Sequence, residues 1–282
     1  MTPDERAAAI AAEYAALPEV LAVALGGSRA AGNEDAGSDI DLYVYSRGEV
    51  PVPPRREIAE RRGERVEVDN RWWGPGDEWL EREGGLHVDV MFWRTADVGA
   101  HLTASLERHE ARMGYTTTLW HTLRTCRVLF DREGWLADLG RRADQPYPDE
   151  LARAIIALNF PPLRGAHGAY PNQIAQAVRR NDLVSVNHRL TEFLASYLDI
   201  LFALNRETHP GEKRLLTLAA RLPLVPANCT GQVERVLSFT PVTLHEVPEG
   251  VEAIVDNLAR LLGERGELPA SHTADARPAS VD

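Results

Sequence analysis

The feature that most constrains the fold is a Gly-Gly-Ser turn followed, ten residues later, by an Asp-x-Asp pair. The turn, Gly26-Gly27-Ser28, closes the apolar segment 19–27, and the pair, Asp39 and Asp41, opens the segment 39–46. The first segment is a short apolar run that ends in glycines, and the second carries β-branched and aromatic residues. The pattern therefore predicts two strands joined through a turn, with paired acids at the start of the second strand.

Alternation along a strand predicts where these acids point. Residues i and i+2 of a strand face the same side, so Asp39 and Asp41 project together while Ile40 faces the core. Two neighbouring carboxylates repel each other and resist desolvation, so a cation is needed to stabilise them. Mg²⁺ suits this spacing, because it is usually held by one or two carboxylates together with substrate phosphates.

The turn that precedes the pair is suited to phosphate binding. Gly26 and Gly27 allow the backbone to approach a ligand closely. Ser28 offers a hydroxyl group at what the sequence predicts to be a helix N-terminus, where free backbone N–H groups bind anions. The same Ser28 is also an ordinary N-cap residue, and the two roles are compatible.

A third acid is expected on a later strand if the pair performs chemistry. Asp89 is the best candidate, because it is a lone acid between valines in the apolar run 86–93. A strand adjacent to the Asp-x-Asp strand would bring Asp89 next to the pair, although a salt-bridge role for this residue is the alternative. His87 is expected to lie on the opposite face or one step away, and receives no role.

The overall composition limits the class of partner. The chain has 282 residues, with 31 Lys and Arg against 42 Asp and Glu, and a net charge of −11. Proteins whose main partner is duplex nucleic acid are usually basic, because phosphate contacts supply much of the affinity. Stable DNA binding is therefore not expected, and stable non-specific RNA binding is disfavoured.

Cysteine usage and hydropathy predict the compartment. Cys126 and Cys229 lie far apart and no Cys/His metal spacing occurs, which indicates free thiols in a reducing compartment and no structural zinc site. The N-terminus opens with acids and lacks an apolar signal-peptide segment, and no run of 18 apolar residues occurs. We therefore expect a cytoplasmic protein without a membrane segment.

The order of predicted elements indicates an α+β domain followed by a helical bundle. Thr2-Pro3-Asp4-Glu5 has the pattern of a capping box and begins a helix that runs to about residue 16. Strands are predicted at 19–27, 39–46, 65–70, 86–93 and 125–131, with 71–85 as a loop. Helices alone are predicted from about residue 149 onward, at 149–160, 172–181, 183–206, 212–221, 230–238 and 248–263. The proposed domains are 1–147 and 148–264, and 265–282 is predicted to be a disordered tail.

The turn, the acid pair and the later strand acid together resemble the signature of the polymerase-β-type nucleotidyltransferase superfamily. The residues that match its GS…DxD pattern are Gly27, Ser28, Asp39 and Asp41, and Asp89 matches the third family carboxylate by context only. The resemblance covers about residues 20–94. It implies a mixed sheet flanked by helices, and Mg²⁺-dependent transfer of a nucleoside monophosphate from an NTP to an acceptor, with release of pyrophosphate.

The two-part layout is similar to that of bacterial small-molecule nucleotidyltransferases, including aminoglycoside and lincosamide resistance enzymes. The segments 205–216 (NRETHPGEKRLL) and 72–79 (WWGPGDEW) also resemble an uncharacterised bacterial family of two-domain proteins. The resemblance implies ATP as donor and the hydroxyl group of a small molecule as acceptor.

The resemblance also implies roles for individual residues. One Mg²⁺ would be held by Asp39, Asp41 and Asp89, and a second by Asp39 and Asp41. The general base would be Asp89 or Glu192 of the helical part, with a structural role as the alternative for Glu192. Arg29 and Lys213 are candidates for neutralising the nucleotide phosphates, or are ordinary surface residues.

Two other functions stay open at this point. The chain is compatible with nucleotidylation of a protein or tRNA, as in toxin–antitoxin nucleotidyltransferases, although its acidic balance argues against tRNA. It is also compatible with a nucleotide-binding sensor without turnover, which the intact acids disfavour. The acceptor, the donor base and the oligomeric state stay open.

Overall fold

The computed structural model describes residues 1–30, 39–72 and 74–269, apart from the side chain of Ser28. Six strands occur in these residues: β1 (Val20–Leu25), β2 (Ile40–Ser46), β3 (Gly63–Asn70), β4 (Gly76–Glu81), β5 (His87–Arg94) and β6 (Arg127–Asp131). Six helices accompany them up to residue 145: α1 (Pro3–Ala15), α2 (Gly27–Ala30), α3 (Val52–Arg62), α4 (Thr95–Leu106), α5 (Thr118–Thr125) and α6 (Trp135–Ala143). Six further helices come after them: α7 (Asp149–Leu163), α8 (Tyr170–Arg179), α9 (Leu183–Leu204), α10 (Leu215–Ala219), α11 (Cys229–Leu237) and α12 (Val247–Glu264).

The chain forms two compact units. The first comprises Met1–Thr103 and Leu119–Gln145, and the second comprises Ala104–Thr118 and the chain from Pro146 onward. Each unit has a hydrophobic core of its own. The predicted disordered tail, 265–282, lies outside the described residues from residue 270 onward.

The first unit contains one mixed sheet with the strand order β3-β4-β5-β2-β1-β6. The two central strands, β2 and β5, pair in parallel, and the other neighbours pair antiparallel. The α+β fold, with a mixed sheet and flanking helices and then a helical region, is thus confirmed. The parallel centre of the sheet determines which residues of β2 and β5 lie side by side.

The predicted N-terminal helix is confirmed together with its capping box. The Thr2 hydroxyl accepts a hydrogen bond from the Glu5 backbone N–H, and the Glu5 carboxylate accepts one from the Thr2 backbone N–H. The helix buries Ile10 and Tyr14 in the core of the first unit. Local capping chemistry is sufficient to fix this element.

The prediction of a loop over 71–85 is wrong, because β4 forms inside it. The glycines and acids of this segment are typical of a loop, yet Asp77 is fully buried. The Arg55 guanidinium donates to both Asp77 carboxylate oxygens at 2.5 and 3.0 Å, and lies 4.0 Å from the centre of the Phe92 ring. This buried ion pair allows a fully buried acid to lie within a strand.

Some predicted helix bounds also differ from the structure. α7 ends at Leu163 rather than at 160, and α10 begins at Leu215 rather than at 212. The sequence patterns did not indicate α5. No helix of the described residues is both long enough and apolar enough to cross a membrane.

The second unit is built around α9. Every residue from Ser196 to Leu204 is buried, which is typical of a helix that is surrounded by other elements. Helices α7 and α8 pack against it. One acid, Asp199, lies within this apolar stretch and accepts hydrogen bonds from the backbone N–H of Thr116 at 3.2 Å and from its hydroxyl at 2.7 Å. Asp199 thereby fixes the segment 104–118 within this unit.

Burial raises the pKa of Asp199 to about 7, and the hydrogen bonds from Thr116 oppose that rise. Because the folded-state pKa lies above the ordinary value of 3.8, the folded protein holds a proton that the unfolded chain releases. The stability contributed by this group is therefore complete below about pH 4, and is lost as the pH rises toward 7.

We predict that Asp199→Asn removes the loss of stability that ionisation of Asp199 causes as the pH rises toward 7. At pH 8 the variant should be more stable than the wild type by roughly 1 to 3 kcal/mol, and this difference should shrink toward pH 5. Urea unfolding monitored by circular dichroism at 222 nm measures it, with the exposed Glu234→Gln as control. A stability difference that does not change with pH would contradict the prediction.

Candidate active site

The parallel register of β2 and β5 brings the predicted acids together. Asp41 lies directly opposite Asp89, and Ile40 lies opposite Val88. Ile40 and Val88 are fully buried in the core, so the acids on either side of them project from the other face of the sheet. Asp39 immediately precedes β2 and is two residues from Asp41. Three carboxylates thus lie at the N-terminal ends of two neighbouring strands.

The glycine turn lies directly against Asp41. The Gly26 backbone N–H donates to the Asp41 carbonyl oxygen at 2.8 Å. Gly27 has a φ of +62°, and a Cβ atom on it would lie 1.8 Å from Asp41 Oδ2. Only glycine both adopts this left-handed backbone conformation readily and leaves room for the Asp41 carboxylate. The turn and the acid pair therefore form one structural feature, although ten residues separate them in the sequence.

The concentration of negative charge is visible in the pKa of Asp89. This pKa is raised to about 6; burial is the largest cause, the nearby carboxylates of Glu78, Asp41 and Asp39 also raise it, and His87 lowers it. In the protein alone, the ionised form of Asp89 is therefore disfavoured. A cation bound at this place would reverse the balance and favour the carboxylate.

Two residues that sequence reasoning missed complete the cluster. Glu78 of β4 lies directly opposite Asp89. The His87 ring lies between two acids, with Nδ1 4.0 Å from Asp39 Oδ2 and Nε2 3.6 Å from Glu78 Oε2. The expectation that His87 faces elsewhere is wrong, because a residue two positions before Asp89 in a strand shares its face. The sequence patterns did not indicate Glu78, because the segment 71–85 has the composition of a loop.

Tyr43 is a third residue that sequence reasoning missed, on the same face of β2 as Asp41. A Cβ atom on Gly26 would lie 2.0 Å from Tyr43 Cε2, so the ring covers the turn. Burial, and then the charge of Asp41, raises the pKa of Tyr43 to about 12, while a hydrogen bond from the Gly27 backbone opposes the rise. The sequence signal that could have indicated Tyr43 is its position two residues after Asp41, which places both side chains on one face of a strand.

The donor chemistry of the cluster fits Mg²⁺. In the described part of the chain, no three His, Cys, Asp or Glu side chains converge on a point that could hold a metal ion. Mg²⁺ does not require such a cage, because it is usually bound by one or two carboxylates plus waters and substrate phosphates. Asp41 and Asp89, paired across β2 and β5 beside a glycine turn, supply hard oxygen ligands of this kind.

The other predicted residues have different settings. Ser28 is the second residue of α2, and its side chain lies outside the described part of the structure. The Arg29 Nε donates to the Asp39 carbonyl oxygen at 3.0 Å, so this side chain reaches back to the start of β2. Glu192 is exposed on α9, and Lys213 is exposed before α10, both in the second unit. Roles for Glu192 and Lys213 stay predictions.

The acids and the glycine turn lie within a recognised domain. Residues 9–109 match the family model of the nucleotidyltransferase domain. The candidate site residues of the first unit, from Gly27 to Asp89, all fall within this match. Residues 115–215 match the model of a domain of unknown function, DUF4037, which includes Glu192 and Lys213. The first match supports nucleotidyl transfer as the general class of activity.

Comparison with solved structures and curated proteins does not narrow this class of activity further. A nucleotidyltransferase-like protein from Exiguobacterium sibiricum 255-15 is similar to this chain, with 14% sequence identity and a TM-score of 0.44. The similarity covers 99% of this chain and 82% of that one. No curated protein matches the chain.

The contact between Gly27 and Asp41 yields a prediction on stability. Gly27→Ala should destabilise the first unit by about 1 to 3 kcal/mol, because the added Cβ collides with the Asp41 carboxylate and disfavours the left-handed backbone. Part of this cost should vanish in the double variant Gly27→Ala/Asp41→Ala. The coupling free energy from the double-mutant cycle should be about 0.5 kcal/mol or more.

Tryptophan fluorescence during urea unfolding measures this cycle, since all six tryptophans precede residue 146. Gly48→Ala is the matched control, because a Cβ atom there meets nothing within 4 Å. Strictly additive effects of the two substitutions would contradict a direct contact.

Proposed function

We propose that this chain is a Mg²⁺-dependent nucleotidyltransferase that moves a nucleoside monophosphate, with ATP as the favoured donor, onto the hydroxyl group of a small-molecule acceptor. The observation that carries the proposal is the direct opposition of Asp41 and Asp89 beside the Gly27 turn. Such a pairing of acids is electrostatically unfavourable in the protein alone, and becomes favourable when a cation and phosphates complete it. The family match of residues 9–109 supports the same class of reaction.

The turn and α2 would bind the triphosphate. Backbone N–H groups at the start of a short helix attract phosphate oxygens, and glycine permits the close approach that this requires. Gly27 and Ser28 are the residues proposed for this role, with Arg29 as a further candidate. Lys213 is the candidate from the second unit.

The acids would bind two Mg²⁺ ions, one held by Asp39, Asp41 and Asp89 and the other by Asp39 and Asp41. When bound, the ions neutralise the phosphates and stabilise charge on the transferring group. Asp89 is also the candidate for accepting the proton of the acceptor hydroxyl, with Glu192 of the second unit as the alternative.

The proposed reaction is a single displacement at the α-phosphorus. The acceptor oxygen forms a bond to the α-phosphorus while the bond from that phosphorus to the bridging oxygen of the β-phosphate breaks. Pyrophosphate leaves, and the acceptor's proton passes to the base and then to solvent. Positioning and charge stabilisation supply the rate enhancement, because the protein forms no covalent intermediate in this scheme.

A small acceptor is favoured over a nucleic acid because the net charge of the chain is −11. Acceptors of the kind modified by antibiotic-resistance nucleotidyltransferases belong to this class. The helical domain over 148–264 is the part proposed to contribute to acceptor binding.

We expect transfer of α-³²P label from an NTP to require both acids of the pair. Asp39→Asn/Asp41→Asn should lower the rate more than about a hundredfold, because it removes metal ligands and their charge. The assay mixes protein, Mg²⁺ and each of the four NTPs with aminoglycosides and lincosamides, a metabolite extract, bulk tRNA or cell protein. Asp97→Asn, at an exposed position of α4, is the matched control and should retain full activity.

The distribution of label separates the candidate functions. Label on a small molecule supports the proposal and identifies the donor and acceptor class. Label on tRNA or protein alone would favour macromolecular modification. An active Asp39→Asn/Asp41→Asn variant would show that the site is assigned to the wrong residues, and nucleotide binding without any transfer would favour a sensor.

A further inference from the structure

We propose that Arg29 is a positioning residue for the metal-binding acids, because its guanidinium group holds the backbone at Asp39 in line with β2. This inference rests on the proposed nucleotidyl transfer and deepens it, since it assigns Arg29 a role other than phosphate binding. The observation that carries it is the hydrogen bond from Arg29 Nε to the Asp39 carbonyl oxygen, at 3.0 Å.

The regular pairing of β1 with β2 stops short of Asp39. Beyond the last paired residues, the Gly26 backbone N–H still donates to the Asp41 carbonyl oxygen at 2.8 Å. In an antiparallel ladder every second pair of residues is hydrogen-bonded, so the next donor in this register would be the N–H of Ser28, opposite Asp39. Ser28 belongs to α2 instead, so the ladder between β1 and β2 does not reach Asp39.

The Arg29 side chain supplies a donor at the place where the ladder ends. Its Nε–H bonds the carbonyl oxygen of Asp39, and the Gly26 N–H bonds the carbonyl oxygen of Asp41, two residues further along β2. Backbone carbonyl groups two residues apart in a strand point to the same side, so the two bonds belong to one row. The guanidinium group thus extends the row of backbone hydrogen bonds to the first acid of the pair.

The backbone position of Asp39 decides whether the three acids can share a cation. The next residue, Ile40, is fully buried. Extended backbone at this point therefore turns Asp39 to the face that Asp41 and Asp89 occupy. On that face, Asp39 Oδ2 lies 4.0 Å from His87 Nδ1. A displaced backbone at Asp39 would move its carboxylate away from the other two and weaken the metal site.

Arginine suits this role better than lysine. Nε lies within the stem of the arginine side chain, where lysine has a methylene group, so lysine keeps the charge but has no donor at that point. A phosphate contact by Arg29 would depend mainly on the positive charge, whereas positioning depends on the Nε–H. The two roles therefore predict different behaviour of Arg29→Lys.

Selective isotope labelling detects the hydrogen bond to Asp39 directly. Protein made by cell-free synthesis with [1-¹³C]Asp and [¹⁵N]Ile gives one carbonyl signal for each Asp–Ile pair, and the chain has two, Asp39–Ile40 and Asp199–Ile200. The Asp199→Asn variant assigns the two signals. Arg29→Met and Arg29→Lys should both shift the Asp39 signal and leave the Asp199 signal unchanged, because a hydrogen bond polarises the carbonyl group that accepts it.

Mn²⁺ binding measured by electron paramagnetic resonance connects this bond to the metal site. The probe is Mn²⁺ with whichever α,β-methylene NTP analogue the wild type binds most tightly. Arg29→Met and Arg29→Lys should each bind Mn²⁺ about tenfold more weakly, which is typical of the loss of a group that orients a metal ligand. Arg94→Met, at the exposed end of β5, is the control for a lost positive charge and should bind as the wild type does. Tryptophan fluorescence verifies that the first unit of each variant is folded, since all six tryptophans precede residue 146.

The outcomes separate the positioning role from the proposed function. An unchanged Asp39 carbonyl signal in Arg29→Met overturns the role and leaves the proposed function standing. Normal Mn²⁺ binding by Arg29→Lys does the same, and would favour a phosphate contact for this residue. If the wild type binds none of the analogues with Mn²⁺, the proposed function fails and the positioning role fails with it. A shifted signal together with weaker Mn²⁺ binding in both Arg29 variants supports the role.

Discussion

The parallel pairing of β2 with β5 is the constraint on which the candidate site depends. This register places Asp41 opposite Asp89 and turns both away from the core residues Ile40 and Val88. Two carboxylates in this position repel each other, and the pKa of Asp89 is raised to about 6, with burial as the largest cause. The fold thus holds an arrangement that is unfavourable in the protein alone and that a cation with bound phosphates would stabilise.

The surrounding elements maintain this arrangement through packing contacts and an ion pair that take no part in the proposed reaction. The Gly26–Gly27 turn presses against β2, and a side chain on either glycine would displace Asp41 or Tyr43. On the far side of β5, the buried pair of Arg55 and Asp77 stabilises β4, which brings Glu78 to the edge of the acidic cluster. Packing at a distance from the acids therefore determines their spacing.

Local signals in the sequence predicted much of the fold, and non-local pairing explains what they missed. The capping box at Thr2 and the alternation around Asp39 and Asp41 depend on neighbours within a few residues, so local patterns were sufficient for them. β4 was missed because its acid Asp77 is neutralised by Arg55, a partner 22 residues away. Register between β2 and β5, the contact of Tyr43 with the turn, and the position of His87 likewise depend on distant segments, whose pairing no local pattern encodes.

The most direct test of the account is Mn²⁺ binding measured by electron paramagnetic resonance, with and without α,β-methylene-ATP. If Asp41 and Asp89 form an incomplete metal site that nucleotide phosphates complete, the wild type should bind Mn²⁺ at least about tenfold more tightly when the nucleotide is present. Asp89→Asn should lose most of that enhancement. Nucleotide-dependent Mn²⁺ binding that is identical in the wild type and Asp89→Asn would contradict the account.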